Sequence, residues 1–177
     1  LVIAQFPFVI EGFHSDNGSE YINHKVAKML EKLRIEQTKS RSRQSNDNAL
    51  AESKNASVVR KHMGYAHIPK KHAQPINIFY QKHFNPWLNL HRPCMFATNK
   101  VNPKGKVVKV YKHEDVKTPL EALVLLNKLG LVKLKTETML MELLAQAKQK
   151  TDLAAAQEMQ QAKHDLFASF AKPKRRA

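Results

Sequence analysis

Two short runs that are typical of strands flank one amphipathic segment near the start of the chain, and this order constrains the fold more than any other feature. Val9 to Phe13 is typical of a strand, and so is Ile35 to Lys39. Between them the Asn17-Gly18 turn precedes Ser19, which we expect to cap a helix. The apolar residues of that helix recur at helical spacing on one stripe: Ile22, Val26, Met29, Leu30 and Leu33.

A polar loop and a second helix follow these elements. Residues 40–48 contain no apolar side chain, which is typical of a loop. We expect a helix from about Ala49 to Met63, capped by Asn46, Asp47 or Asn48. The order strand, helix, strand, loop, helix predicts an α/β fold.

The rest of the chain is predicted to be mainly helical. One helix should cover 75–90 with an irregularity at Pro86, and a small hairpin should lie within 98–117. The Thr118-Pro119 pair suits a cap followed by proline at the first helical position of a helix that ends near Leu129. Residues 136–171 should form one or two long helices before a basic tail.

Positive charge is concentrated in the middle of the chain. The formal charge is +15 over 177 residues, and residues 51–117 alone hold 13 basic and 3 acidic side chains. A solvated face usually mixes signs, so this excess favours a polyanionic partner, most simply DNA. The alternative is a basic but otherwise inert surface.

Composition excludes several other classes of protein. A single cysteine, Cys94, cannot form an intrachain disulfide, and no Cys/His set has zinc-site spacing. No apolar run approaches the ~20 residues that cross a bilayer, and residues 1–10 lack the features of a signal peptide. We therefore expect a cytoplasmic protein without membrane contact. Because the chain does not begin with Met, we expect it to be a piece of a longer protein.

Asp16 and Glu52 are the residues that best suit a catalytic or metal-binding role. Asp16 lies where a strand should end, and Glu52 lies in the first turn of a helix after a polar loop. In open α/β sheets, functional groups collect at such positions. Two carboxylates can share Mg²⁺ or Mn²⁺, and a two-metal site held ~4 Å apart cleaves phosphodiesters. The alternative is a surface turn and a glutamate that merely favours a helix N-terminus.

Three segments resemble a known enzyme family. The run from His14 to Tyr21 (HSDNGSEY) is similar to the second-aspartate motif of DDE transposases and retroviral-type integrases. The run from Ser45 to Asn55 (SNDNALAESKN) is similar to the motif around their glutamate. Thirty-five residues separate Asp16 from Glu52, as in the D,D-35-E branch. The run from His83 to Cys94 (HFNPWLNLHRPC) resembles the segment after the glutamate in bacterial insertion-sequence transposases.

The resemblance implies a fold and an activity. The fold would be α/β, with a partial RNase H-like (integrase core) domain over 1–95, a basic connector or small β-hairpin over 96–117, a helical C-terminal extension over 118–171 and a basic tail over 172–177. Asp16 and Glu52 would be catalytic metal ligands for Mg²⁺ or Mn²⁺ in DNA cleavage and strand transfer during transposition. The family's first aspartate lies further upstream than the fifteen residues before Asp16, so the chain is expected to lack it and to be inactive as given.

The resemblance also implies partners and a DNA-contacting surface. The partners would be the ends of the mobile element, the target DNA and further copies of the chain. Seven polar or basic residues near the two carboxylates are candidates for DNA contact: Lys39, Arg41, Arg43, Lys54, Asn55, Arg60 and Lys61. Lys54 and Lys61 are seven residues apart and would share one face of an α-helix. The alternative function is a noncatalytic DNA-binding remnant of a transposase.

Other conspicuous residues favour structural roles. His62, His67 and His72 recur every five residues, which suits neither one helical face nor a zinc site. Four aromatic residues fall at helical spacing and are expected to pack in a core rather than stack on bases: Phe79, Tyr80, Phe84 and Trp87. Cys94 has no plausible base partner and should be a small core residue.

Overall fold

The computed structural model describes residues 3–41 and 49–171, which form a mixed α/β protein with small sheets and helices. The chain divides into two compact units, unit 1 over residues 1–68 and unit 2 over residues 69–177. The α-helices and strands of the described residues are β1 (Gly12–Ser15), α1 (His24–Lys32), β2 (Glu36–Lys39), α2 (Ala49–Lys54), α3 (Lys61–Met63), α4 (Ala73–Phe79), β3 (Cys94–Val101), β4 (Val107–Lys117), α5 (Pro119–Lys128), α6 (Glu137–Lys148) and α7 (Asp152–Ala171).

Unit 1 contains the predicted strand–helix–strand arrangement. β1 and β2 pair in parallel, with Gly12 opposite Glu36 and Ser15 opposite Lys39. Helix α1 connects the two strands, as a parallel pair requires. Both predicted strands are present, but β1 lies further along the chain than Val9 to Phe13 and shares only Gly12 and Phe13 with it, and β2 is one residue shorter than expected.

The cap of α1 differs from the prediction. Asn23, not Ser19, occupies the cap, and its Oδ1 accepts hydrogen bonds from the N–H groups of Lys25 and Val26 at 3.1 Å. The amides of Tyr21 and Ile22 instead hydrogen-bond to the Gly18 carbonyl, so the chain turns once more before the helix begins. Asparagine caps at least as well as serine, which explains the outcome.

The apolar stripe of α1 is only partly covered within the described residues. Leu30 is 4% exposed, whereas Met29 is 48% exposed and Leu33 is 46% exposed. Ile35, just before β2, is also buried, and it directly follows Arg34, whose φ is positive. Of these stripe residues, only Leu30 therefore contributes to the buried core of unit 1.

The helix around Glu52 is confirmed over its described part, and it changes its winding. α2 runs into a π-helical segment, Asn55–Arg60, which continues into α3. A π-helix makes i to i+5 hydrogen bonds and so takes more residues per turn than an α-helix. Met63 at the far end is buried, and Gly64 ends the helix at φ 80°. The predicted cap residues 46–48 lie outside the described residues.

Unit 2 begins with the predicted aromatic helix. A 3₁₀ turn (Lys70–His72) leads into α4, and two π-helical segments follow, Tyr80–Phe84 and Trp87–His91, on either side of Pro86. Phe84 is 1% exposed and contacts Phe79, Tyr80 and Trp87 at ring-centroid distances of 5.1–5.8 Å. Core packing of these aromatic residues is confirmed.

The hairpin is longer than expected. β3 and β4 are antiparallel, and Val101 opposite Val107 closes the pairing next to a turn around Gly105, whose φ is 73°. A bulge between Met95 and Ala97 separates the tip of the hairpin from its base.

Three helices complete unit 2. Thr118 caps α5 and Pro119 stands at its start, as predicted, and Glu121 adds a capping box with Thr118. The 136–171 region forms two helices, α6 and α7, rather than one. Leu90, Leu120 and Leu140 meet in a buried cluster that joins the end of the aromatic helix to α5 and α6.

Two further observations concern the whole chain. The compact units divide at 68/69, whereas the sequence-based domains divide at 95 and 117 and stay a prediction. Over the described residues, none of the helices combines the length and the apolar character needed to cross a membrane.

Candidate functional site

Asp16 follows β1 directly, at the carboxyl end of the parallel pair. Its side chain is exposed, and Oδ1 accepts a hydrogen bond from the Gly18 N–H at 3.0 Å. This bond closes a small turn of the kind that aspartate forms with the backbone two residues later. The turn fixes the carboxylate beside the strand end and keeps it accessible to solvent.

The ends of β1 and β2 are joined by polar contacts. The Ser40 N–H donates to the Ser15 carbonyl at 2.9 Å, and Ser40 Oγ donates to the same carbonyl at 3.2 Å. Asn17 Nδ2 donates to the Ser40 carbonyl at 3.2 Å. The turn that carries Asp16 is therefore attached to the chain that leaves β2.

A histidine next to Asp16 takes part in the same network. His14 Nδ1 lies 2.9 Å from Thr38 Oγ1, and His14 Nε2 lies 3.3 Å from Ser40 Oγ. Sequence reasoning gave His14 no role of its own. The parallel register that places His14 opposite Thr38 would have identified the pair, but a single sequence does not fix that register.

Basic side chains gather at this edge of the sheet. Lys39 ends β2 opposite Ser15, so it lies at the same strand end as Asp16. Arg41 follows two residues later, and both side chains are exposed. The structure thus brings two of the predicted DNA-contacting residues to the strand end that carries Asp16. Arg43 lies outside the described residues.

Glu52 lies in the first turn of α2, as predicted, and its side chain is exposed. The other candidates on this helix are also exposed: Lys54, Asn55, Arg60 and Lys61. The Arg60 guanidinium lies over the Tyr65 ring, 5.5 Å from its centroid. The expectation that Lys54 and Lys61 share one face is wrong, because the wider turns of Asn55–Arg60 separate them and a seven-residue step no longer returns to the same side.

The donor chemistry at these two positions suits Mg²⁺ or Mn²⁺. Both are exposed carboxylates, and Mg²⁺ is commonly held by one or two carboxylates together with waters. Within residues 3–41 and 49–171, no group of three or more His, Cys, Asp or Glu side chains comes together to hold a metal. None of the described residues therefore completes a group of three such side chains with Asp16 and Glu52.

A second group of titratable side chains lines a small cleft of unit 2, with a volume of about 70 Å³. His91 is 6% exposed, and its Nδ1 lies 3.0 Å from Asp152 Oδ1. His83 Nδ1 lies 3.6 Å from Glu158 Oε1, and the Lys150 ammonium donates a hydrogen bond to the other oxygen of Glu158. The hydrogen bond from Lys150 lowers the pKa of the Glu158 carboxyl. The His91–Asp152 and His83–Glu158 pairs tie α7 to the aromatic helix.

Comparison with known proteins gives a distant likeness. An uncharacterized protein of Sinorhizobium fredii (strain NBRC 101917 / NGR234), y4rM, is 30% identical to this chain over 106 residues. The matched region is 60% of this chain and 30% of that protein, so the chain spans less than a third of the relative's length. No family model matches the chain, and no solved structure matches it significantly.

Proposed function

We propose that the chain is part of a DDE transposase or integrase that cleaves DNA and transfers strands during transposition. The observation that carries the proposal is the position of two carboxylates. Asp16 lies directly after a strand of a parallel pair, Glu52 lies in the first turn of a helix, and thirty-five residues separate them. The fold proposed for residues 1–95 is the C-terminal part of an RNase H-like core, in which β1, α1 and β2 precede the glutamate helix.

The proposed role of Asp16 and Glu52 is to hold Mg²⁺ or Mn²⁺ through carboxylate oxygens. Bound divalent ions supply Lewis acidity for phosphodiester cleavage and for attack by a 3′-hydroxyl. The Gly18 N–H holds one Asp16 oxygen in place, which reduces the rotamer freedom lost on binding. The family resemblance implies a further aspartate upstream, supplied by a longer protein.

The proposed DNA surface extends from the strand ends to the glutamate helix. Lys39 and Arg41 are exposed beside Asp16, and Lys54, Asn55, Arg60 and Lys61 are exposed on the helix that carries Glu52. Contacts from such groups to phosphates position DNA without reading its sequence. Element ends, target DNA and further copies of the protein are the proposed partners.

A nicking assay tests the proposal. The protein encoded by the whole reading frame that contains this chain is incubated with supercoiled plasmid and Mg²⁺ or Mn²⁺. We expect nicking by the unchanged protein, and a loss of at least about 100-fold for Asp16→Asn or Glu52→Gln, because each removes a metal ligand. Glu31→Gln, an exposed change on α1, is the matched control and should nick normally.

DNA binding is measured in parallel, because it separates the two candidate functions. Binding by the Asp16 and Glu52 variants should persist, since neither change removes a positive charge. Normal nicking by either variant contradicts the metal-ligand assignment. Binding without nicking by the unchanged protein favours the alternative, a noncatalytic DNA-binding remnant.

A further inference from the structure

The β3–β4 hairpin carries its positive charge at one end. Residues 97–111 form the tip beyond the bulge and contain four lysines and no Asp or Glu: Lys100, Lys104, Lys106 and Lys109. All four side chains are exposed, and none has an ion-pair partner among the described residues. We call them the tip lysines.

The acidic residues of the hairpin, Glu114 and Asp115, both follow the tip in the sequence. Asp115 Oδ2 accepts a hydrogen bond from Thr98 Oγ1 at 2.8 Å, and its Oδ1 lies 3.8 Å from Lys117 Nζ. Glu114 accepts a hydrogen bond from Lys112 Nζ at 2.8 Å. Each carboxylate is matched by a base lysine, so the field of the tip lysines is not cancelled by partners within the hairpin.

The register distributes the tip lysines over both faces of the ribbon. Directly opposed residues of an antiparallel pair lie on the same face, and neighbours along a strand alternate. Lys100 stands opposite Val108 on one face, and Lys109 stands opposite Asn99 on the other. Lys104 and Lys106 lie in the turn, where Asn102 Oδ1 accepts hydrogen bonds from both of their backbone N–H groups. A ribbon with cations on two faces and at its end suits a site with anions on two walls.

The dimensions select one such site. A pleated ribbon with side chains on both faces is about 10 Å thick, judged from the spacing of packed sheets. The major groove of B-DNA is about 12 Å wide and admits a two-stranded ribbon, whereas the minor groove is about 6 Å wide. Both walls of the groove are lined by phosphates.

We propose that the tip of the β3–β4 hairpin enters the major groove of duplex DNA and that the tip lysines contact the phosphates on its two walls. The inference rests on the proposed function only in taking DNA as the polyanion. It adds an element that lies outside the candidate active site, in the other compact unit. Val101 and Val107, which are 63% and 65% exposed, form the apolar end of the ribbon and suit contact with thymine methyl groups.

The test measures the salt dependence of binding. Fluorescence anisotropy follows the 177-residue chain on a labelled random-sequence duplex in EDTA, so that metal chemistry plays no part. The triple variant Lys104→Ala, Lys106→Ala, Lys109→Ala should flatten the plot of log K against log salt by about 2 to 3, since each lost phosphate contact removes about 0.9. The matched control removes the same charge at exposed helix and loop lysines: Lys128→Ala, Lys133→Ala, Lys148→Ala.

Two further measurements exclude trivial explanations. Replacing the same three residues, Lys104, Lys106 and Lys109, by arginine keeps the charge and should keep the unchanged protein's slope. A duplex whose cytosines carry glucosylated C5-hydroxymethyl groups fills the major groove and should bind at least tenfold more weakly, whereas netropsin in the minor groove should not compete. Both alanine variants must retain the helical circular dichroism of the unchanged chain.

Each contrary result overturns the proposal. Equal slopes for the hairpin variant and its control show diffuse charge binding. Absence of duplex binding by the unchanged chain, or competition by netropsin without an effect of glucosylation, excludes the major-groove contact. Failure of nicking in the earlier assay leaves these results unaffected, so the two proposals fail separately.

Discussion

At the scale of single residues, Phe84 is the side chain whose role in the core is clearest. Its ring is 1% exposed and is surrounded by three other aromatic rings. Such a side chain has no space to relax into when it is shortened, and the sequence already suggested its role through helical spacing. Its burial was predictable because four large aromatic rings at helical spacing form an apolar face, and burying such a face is strongly favourable.

Phe84→Ala should destabilise unit 2 by about 3 to 5 kcal/mol, because the truncation leaves a cavity as well as losing buried area. Urea unfolding followed by helical circular dichroism measures the change. Leu153→Ala on α7 is the control: that side chain is 69% exposed, and its loss should cost no more than about 0.5 kcal/mol. A similar cost for both variants would contradict the assignment of Phe84 to the core.

Asp16 and Glu52 show how much of the candidate site could be predicted from the sequence. Their neighbours in sequence were sufficient to single them out, and their places at a strand end and in a first helical turn are as predicted. The hydrogen bonds of His14 to Thr38 and Ser40 were not predictable, because they depend on a parallel register set by residues 24 and 26 positions away. Candidate functional residues can thus be predicted from a sequence more readily than the hydrogen bonds that position them.

At the scale of elements, helix type and order were predictable where several local signals agreed. Thr118 and Pro119 specify the start of α5 and act as expected, and Glu121 completes a capping box that was not predicted. Where two residues competed for one role, the choice failed: Ser19 and Asn23 both suit a cap, and the extra turn between them decided in favour of Asn23. The wider helical turns beside Pro86 lie where an irregularity was predicted, whereas those of Asn55–Arg60 left no recognisable signal in the sequence.

The attachment of α7 through Glu158 should depend on pH. Lys150 and His83 both face Glu158, and the hydrogen bond from Lys150 holds the pKa of its carboxyl below the ordinary value of 4.5. A lowered pKa in the folded state stabilises the fold above about pH 4.5, and the contribution disappears as the pH falls through the lowered value. The pair is largely exposed, so its contribution is below about 1 kcal/mol.

Lys150→Ala should therefore reduce the free energy of unfolding at neutral pH by about a few tenths of a kcal/mol, and the difference should vanish in acid, once the pH lies below the lowered pKa of Glu158. Urea unfolding at several pH values measures it. Lys148→Ala is the control, because that lysine makes no ion pair with Glu158 and its effect should not follow the titration of that carboxyl. A pH-independent effect of Lys150→Ala would count against the pairing.

At the scale of the whole molecule, the buried residues are distributed unequally. In the described part of unit 1 the buried apolar side chains are Leu30, Ile35 and Met63. Unit 2 holds the larger set: Phe79, Phe84, Leu90, Leu120, Ala122, Leu140, Ala155, Met159 and Leu166. This imbalance was not predictable, because the sequence offers unit 1 an apolar stripe without stating how much of it is covered.

A fragment of residues 69–177 should accordingly fold alone, with helical circular dichroism and a cooperative thermal transition. A fragment of residues 1–68 should melt without cooperativity, because so few buried side chains cannot offset the entropy of ordering its backbone. The two melting curves test this. A cooperative transition from the shorter fragment, or none from the longer one, would contradict the division.

The π-helical segment between Glu52 and Met63 has a consequence for insertions and deletions. A π-helical turn takes more residues than an α-helical turn, so losing one residue from Asn55–Arg60 would either rewind the segment as an α-helix or turn everything downstream relative to Glu52. In the second case Met63 would leave its buried position while Glu52 kept its own, or the reverse. The number of residues in this segment thus sets the angle between the exposed carboxylate of Glu52 and the buried side chain of Met63. Natural variants that add or delete one residue here should therefore be rarer than variants that substitute a residue.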